Sequence, residues 1–369
     1  ISLGLVGSEM CIRDSLGECM KNGALGISYG LQYPAGCYAD SSELTELSSV
    51  VASFGGITSA RVRNEGDQLV ESVAEMIQTA KESGSALVIS HHKAINPQNW
   101  GKTFTTLSLM EDAVNQGYSI YCDVYPYTAS STGLKSRIPQ SMHVLGEEKL
   151  LQMLSDPIER KKMRSAILFG MSPEKRFGTT MFGASVTHPD YTGQMVCDLA
   201  SRLGEDPCEL VMNVLHDDHL TTNGIYHCMA DEDVDQVLRF SRSMIGSDGL
   251  YYKGCSGAHP RAFGTFTRVL GHYVRERKVL SLEEAIHKMT GLPAAVYQLH
   301  GKGLIRPGMD ADLVLFDPDT VSDQAGFTDF SKRGTGIDTV WIQGRKVVEH
   351  GAYLGVKAGK LIRHAPHNS

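Results

Sequence analysis

The chain reads as an α/β barrel followed by a small all-β segment. Three features predict this. Apolar strands alternate with amphipathic helices along most of the 369 residues, the pattern of repeated βα units. Strands end abruptly in polar residues: Ala86-Leu87-Val88-Ile89 runs straight into Ser90-His91-His92-Lys93. The C-terminal strand ends are where a barrel places its chemistry. Beyond residue 302 the pattern changes to short strands joined by glycine turns, at 303–317 and 339–348.

In chain order, residues 1–15, ISLGLVGSEMCIRDS, show neither helical nor strand period and do not begin with methionine. They resemble a translated sequencing adapter and are expected to be a non-native leader. Residues 16–22 finish a helix, and 24–33 form a strand running into a loop with Pro34 and Gly36. A helix follows at 41–53, with Asp40 or Ser41 as N-cap, and then a strand at 56–62. Helix 68–83 carries Leu69, Val73, Met76, Ile77 and Ala80 on one face. The 86–89 strand, a helix at 105–116 and a strand at 119–124 complete the regular alternation.

Residues 133–188 are charged, methionine-rich and irregular, as expected of an insertion forming a lid over the site. One helix is expected at 194–215, strands at 224–229 and 243–245, and a closing helix at 282–289. The count reaches only about five of a barrel's eight strands. The expected division is therefore an incomplete (β/α)8 barrel over 16–300 and part of a small β-sandwich subdomain over 301–369.

Composition narrows the function. Hydrophobic residues make up 41% and charged residues 21%, and the formal net charge of −7 argues against a nucleic-acid partner. No apolar run is long enough for a membrane span. The eight cysteines are scattered without a C-x-x-C pair, which reads as reduced thiols and a cytoplasmic setting. Oligomeric state is not legible. His216 and His219, near Asp217 and Asp218, read as a solvated helix end rather than a metal pair.

Six stretches in order carry a resemblance: SHHK, CDVYPYTASST, IGSDG, GAHPRAFGTFTRVLGHYVRE, LSLEEAIHKMTGLPA and GLIRPGMDADLVLFDPDTV. Together they resemble the N-acyl-D-amino-acid deacylase (D-aminoacylase) branch of the amidohydrolase superfamily. The resemblance implies a metal-dependent hydrolase barrel, zinc as cofactor, and a small-molecule N-acyl-D-amino acid cleaved to a carboxylate and a D-amino acid. It implies that Asp248 is the catalytic proton shuttle and His91 a zinc ligand. Lys93 and Tyr125 would hold the substrate carboxylate, Tyr33 would line the pocket, and His92 would pack behind. Arg61 stands where the resemblance expects a second zinc-ligand histidine, and a guanidinium cannot ligate zinc. No His-x-His occurs in the chain, so the zinc site is expected to be incomplete and this polypeptide inactive as a deacylase. A pairing of Arg61 with Asp248 is then an alternative. The rival expectations are a cyclic-amide hydrolase of the dihydropyrimidinase or dihydroorotase type, and a non-catalytic barrel in which Arg61 fills the metal space. Lys135 and Arg137 could meet an acidic side chain, although surface placement is the plainer expectation.

Overall fold

A computed structural model describes residues 2–252, 255–256 and 259–364. Eight strands precede residue 250: β1 (Gly26–Gly30), β2 (Ile57–Arg61), β3 (Ala86–Ile89), β4 (Ile120–Val124), β5 (Ala129–Gly133), β6 (Thr180–Phe182), β7 (Asn223–His227) and β8 (Ser243–Ile245). Five of them form one parallel sheet in the order β1-β2-β3-β4-β8. Among the described residues this sheet does not close into a ring, and β1 and β8 are its edges.

The period of two that defines a strand separates the faces of the sheet. Ala60, Leu87, Ile89, Cys122, Val124 and Ile245 point to the helices and join the main core. Ile57, Val88 and Met244 point the other way and pack with Val296 as the floor of the concave face. Farther along the same inward rows stand Arg61, Ser90 and Asp123, polar residues where the strands end. The sequence therefore builds an apolar floor below and a polar rim above.

The covering helices follow their patterns. α1 (Ser2–Lys21) is continuous, so residues that show no helical period in the sequence are nonetheless helical, and Arg13 pairs with Glu46 on the next helix. α2 (Ser41–Ser53) starts where Asp40 accepts a hydrogen bond from the Glu43 N–H at 2.9 Å, and it buries Leu44, Leu47 and Val51. α3 (Leu69–Ser83) buries all five residues read from its spacing and stops at Gly84, whose φ of 72° suits a residue without Cβ. α4 (Lys102–Asn115) begins earlier than expected.

The connection between β4 and β8 carries a second core that runs from Leu134 to Leu220 and so extends past 188. Over it lies an antiparallel sheet, β5-β7-β6. The strand expected at 224–229 therefore belongs to the insertion and not to the barrel. The single helix expected at 194–215 is two, Val196–Leu203 and Pro207–Asp217. Gly204 takes a left-handed conformation, and Asp206 caps the second helix just before Pro207, which has no N–H to give. The C-terminal segment is one antiparallel sheet of Leu313–Phe316, Ile337–Ile342, Arg345–Glu349 and Ala352–Tyr353. The described residues show no second sheet packed on it as a sandwich would require.

Candidate active site

A cavity of about 540 Å³ opens on the concave face, above the apolar floor. Each of the five parallel strands, or the turn that follows it, contributes to the lining: Ser28 and Gly30, Arg61, Ser90 and His91, Asp123, and Gly246 with Asp248. Tyr33 and Tyr297 complete the wall. This is the strand-end position at which α/β barrels bind ligands.

One wall is a buried charge network. Arg61 donates from Nε to Gln32 Oε1 at 2.7 Å and from Nη2 to Glu65 Oε2 at 2.8 Å. Its Nη1 lies 3.3 Å from His91 Nε2. Glu65 Oε1 also accepts from Lys93 Nζ at 2.7 Å, and Lys93 Nζ lies 2.7 Å from His91 Nδ1. Burial alone would push the Glu65 carboxyl up, but Lys93 and Arg61 outweigh it and hold it well below the usual range. Burial pushes Lys93 down and outweighs the opposing pull of Glu65, with the nearby Arg61 charge adding to the lowering. His91 sits at φ 39°, a left-handed backbone, and its N–H donates to Asp123 Oδ1 at 2.8 Å. His92 turns away from the cavity toward Thr106, and burial lowers its pKa to about 3.

The opposite wall is more open. Asp248, at φ 45°, pairs with Arg261 at 2.8 Å; the Asp248 side chain is 33% exposed, that of Arg261 4%. Two sequence motifs thus meet physically, since Arg261 comes from the His-Pro-Arg tripeptide and Asp248 from the Ser-Asp-Gly turn. His259 is spent structurally: its Nε2 donates to the Ala129 carbonyl at 2.9 Å. Asp123 lies between the walls. Burial, with Asp248 adding to it, raises its pKa above the ordinary carboxylate value.

His91, Arg61, Tyr33 and Asp248 therefore meet around one cavity, as read from the sequence. Two expected residues do not. Lys93 is 2% exposed and committed to Glu65 behind the wall. Tyr125 is 1% exposed, with its hydroxyl 3.8 Å from Met229 Sδ, and burial raises its pKa. A substrate carboxylate in the cavity meets neither group. The expected Arg61–Asp248 pair is also absent, because Glu65 and Arg261 take their place. Tyr33 is 39% exposed and shares a 3.1 Å hydrogen bond with Thr132. Of the lesser candidates, His216 bonds Asp217 and Ser155, Lys135 pairs with Glu147, and Arg137 packs 4.1 Å from the Tyr226 ring centroid.

The chain is 33% identical over 351 residues to D-aminoacylase of Alcaligenes xylosoxydans xylosoxydans, covering 95% of this chain and 64% of that protein. It is 31% identical to the crystal structure of N-acyl-D-glutamate deacylase from Bordetella bronchiseptica, with a TM-score of 0.79, covering 97% of this chain and 66% of that one. That deacylase is described as complexed with zinc and a phosphonate mimic of the tetrahedral intermediate. A crystal structure of D-aminoacylase described as defining a subset of amidohydrolases matches with a TM-score of 0.79 and 31% identity, over 97% of this chain and 67% of that one. The chain thus spans about two-thirds or less of the length of these relatives.

The residues described do not fit a zinc ion. No group of three or more His, Cys, Asp or Glu side chains among them is placed to hold a metal. His91 is the one histidine among the described residues that lines the cavity, and its Nε2 meets a guanidinium at 3.3 Å. A family model described as "Amidohydrolase family" matches residues 135–348. With that match, the likeness along nearly the whole chain and the strand-end cavity, the chain belongs to the amidohydrolase family, in its D-aminoacylase branch.

Proposed function

We propose that the cavity takes an N-acyl-D-amino acid and that the reaction class is hydrolysis of its amide bond, giving a carboxylate and a D-amino acid. The observation that carries this reading is Asp248. It stands at the end of the last parallel strand, on a left-handed backbone, held by a buried arginine and still partly open to the cavity. Backbone strain of that kind collects at functional positions. A carboxylate so held can take a proton from water and return one to the leaving amine. The named activities of the relatives supply the substrate class. Zinc would supply water activation in a deacylase site, but the donors described here do not fit it, and no step is assigned to a metal.

A cyclic-amide hydrolase built on a modified lysine is disfavoured by the position of Lys93, which is buried against Glu65. A second reading has its own support: Arg61 against His91 suits binding of the same ligand without turnover. Incubating the purified chain with N-acetyl-D-methionine and, separately, a hydantoin tests the readings. Hydrolysis of the first alone, falling about 10²-fold or more in Asp248→Asn, supports the deacylase reading. Binding without turnover supports the second. Neither binding nor turnover overturns the ligand class.

A further inference from the structure

We propose that the groove between α2 and α3 is a binding site for a linear polyamine, a ligand that offers only N–H donors and positive charge. The groove lies among the helices that cover the parallel sheet and shares no lining residue with the strand-end cavity.

α3 has two working faces. The apolar one enters the main core. The other carries Glu71, Ser72, Glu75, Thr79 and Glu82, which recur at helical spacing and line a cavity of about 420 Å³ against Ser41 of α2. Helix rise sets Glu71 and Glu82 about 16 Å apart along the axis. The acceptors of this row are therefore spread out and not gathered at one point.

The floor has open acceptors. Ser72 and Thr79 are 5% and 1% exposed, and neither hydroxyl has a hydrogen-bond partner among the described residues. A buried hydroxyl left unpaired is unfavourable, and an ammonium supplies the missing donor.

The charges agree with this. Of the lining residues only Arg63 is cationic, and it is fully engaged. Its Nε and Nη2 donate to Glu75 at 3.0 and 2.9 Å, and its Nη1 and Nη2 donate to the Cys37 and Ala39 carbonyls, each at 2.9 Å. Arg63 balances Glu75, which also accepts from Ser41. Glu82 meets only neutral donors, Gln78 at 2.7 Å and Thr45 at 3.2 Å. Glu71 has no ion-pair partner among the described residues, and Lys81 turns away to Gln116 and Tyr118. Two carboxylates thus face the groove without a cation. Carboxylates spread over three turns cannot converge on one metal ion, and no three acidic, His or Cys groups among the described residues are placed to hold one. A basic peptide would bring carbonyl acceptors that the groove, with Arg63 engaged, does not pair. A linear polyamine brings ammonium groups spaced along a flexible stem and no acceptor at all.

Calorimetric titration of the 369-residue chain with spermidine, in about 0.15 M salt to screen loose surface attraction, tests the assignment. We expect saturable binding that magnesium chloride of matched charge concentration does not displace. Replacing both open carboxylates, Glu71→Gln with Glu82→Gln, should weaken it roughly 10-fold or more, and Ser72→Ala roughly 2- to 10-fold, the scales of charged and neutral hydrogen bonds. Glu71 and Glu82 are exposed, so the double variant keeps the core, and a thermal melt checks that each variant is folded. Glu205→Gln, on the exposed turn between the helices at 196–203 and 207–217, should bind spermidine as the unmodified chain does. Absence of saturable binding, or unchanged affinity in either groove variant, would overturn the proposal. So would equal loss in Glu205→Gln or displacement by magnesium, since both mean that spermidine acts only as a general counterion.

Discussion

The two walls of the cavity hold charge differently. On the β2–β3 wall, Glu65 is buried and gripped by Arg61 and Lys93, with His91 against them. On the β8 wall, Asp248 has one partner and is one-third exposed. The first wall is a packed network whose members depend on one another. The second presents a single carboxylate to the cavity. A buried network makes a strong structural element but a poor proton shuttle, because its carboxylate is shut off from water and held by two cations at once. The open wall is where a proton can be exchanged.

The largest expected effect follows from breaking the buried wall. Glu65→Gln leaves Arg61 and Lys93 facing each other without a carboxylate. We expect a loss of about 3–5 kcal/mol in denaturant unfolding, the usual cost of removing one partner of a buried pair. A loss below about 1 kcal/mol would mean that the wall is held by packing rather than by charge.

Asp248→Asn should do the reverse. Asp248 is one-third exposed but its partner Arg261 is buried, so stability should fall by about 1–3 kcal/mol, less than for Glu65. Any turnover the chain shows on N-acetyl-D-methionine should fall about 10²-fold or more. A variant that loses stability but keeps its turnover would move Asp248 from chemistry to structure.

This asymmetry was only partly legible in the sequence. The five strands and the face of α3 follow from apolar periodicity, a local signal, whereas the bringing together of His91, Arg61, Tyr33 and Asp248 was implied by the family resemblance. The place of Lys93 departs from it. The resemblance put Lys93 on the substrate, whereas alternation from Ile89, which faces the helices, already turns residue 93 away from the cavity; the left-handed backbone at His91 is what brings His91 to the lining instead. No sequence period encodes that turn. A usable signal was passed over in Arg61-Val62-Arg63-Asn64-Glu65, where one carboxylate follows two arginines near a buried lysine. Asp123 was another, an acid inside the apolar strand Ile120–Val124. The break between the helices at 196–203 and 207–217 was visible in Gly204 and Pro207, yet apolar spacing on both sides masked it.

Acid should reveal smaller effects. His92 is buried neutral with its pKa lowered to about 3, and burial also holds His259 well below its ordinary value. Both folded values lie below the unfolded value of about 6.5. Their contribution is therefore fully present above pH 6.5 and is lost as pH falls toward the folded values. Each should steepen the decline by up to about 1.4 kcal/mol per pH unit. The depressed Glu65 contribution begins to fall only below its unfolded value, near pH 4.5. Denaturant midpoints between pH 7 and 5 should drop, and His92→Gln should flatten that slope by one proton. A flat profile would contradict the neutral burial of both imidazoles. The smallest effect is expected for Tyr33→Phe, which removes an exposed hydrogen bond to Thr132; stability should change by no more than about 0.5 kcal/mol.

The central claim is that a guanidinium, and not a metal ion, faces His91 Nε2. Zinc content measured by mass spectrometry after dialysis against micromolar zinc tests it most directly, in the unmodified chain and in Arg61→His. The account predicts far less than one zinc per chain in the unmodified protein. One tightly held zinc per chain there, matching the content of Arg61→His, would contradict it.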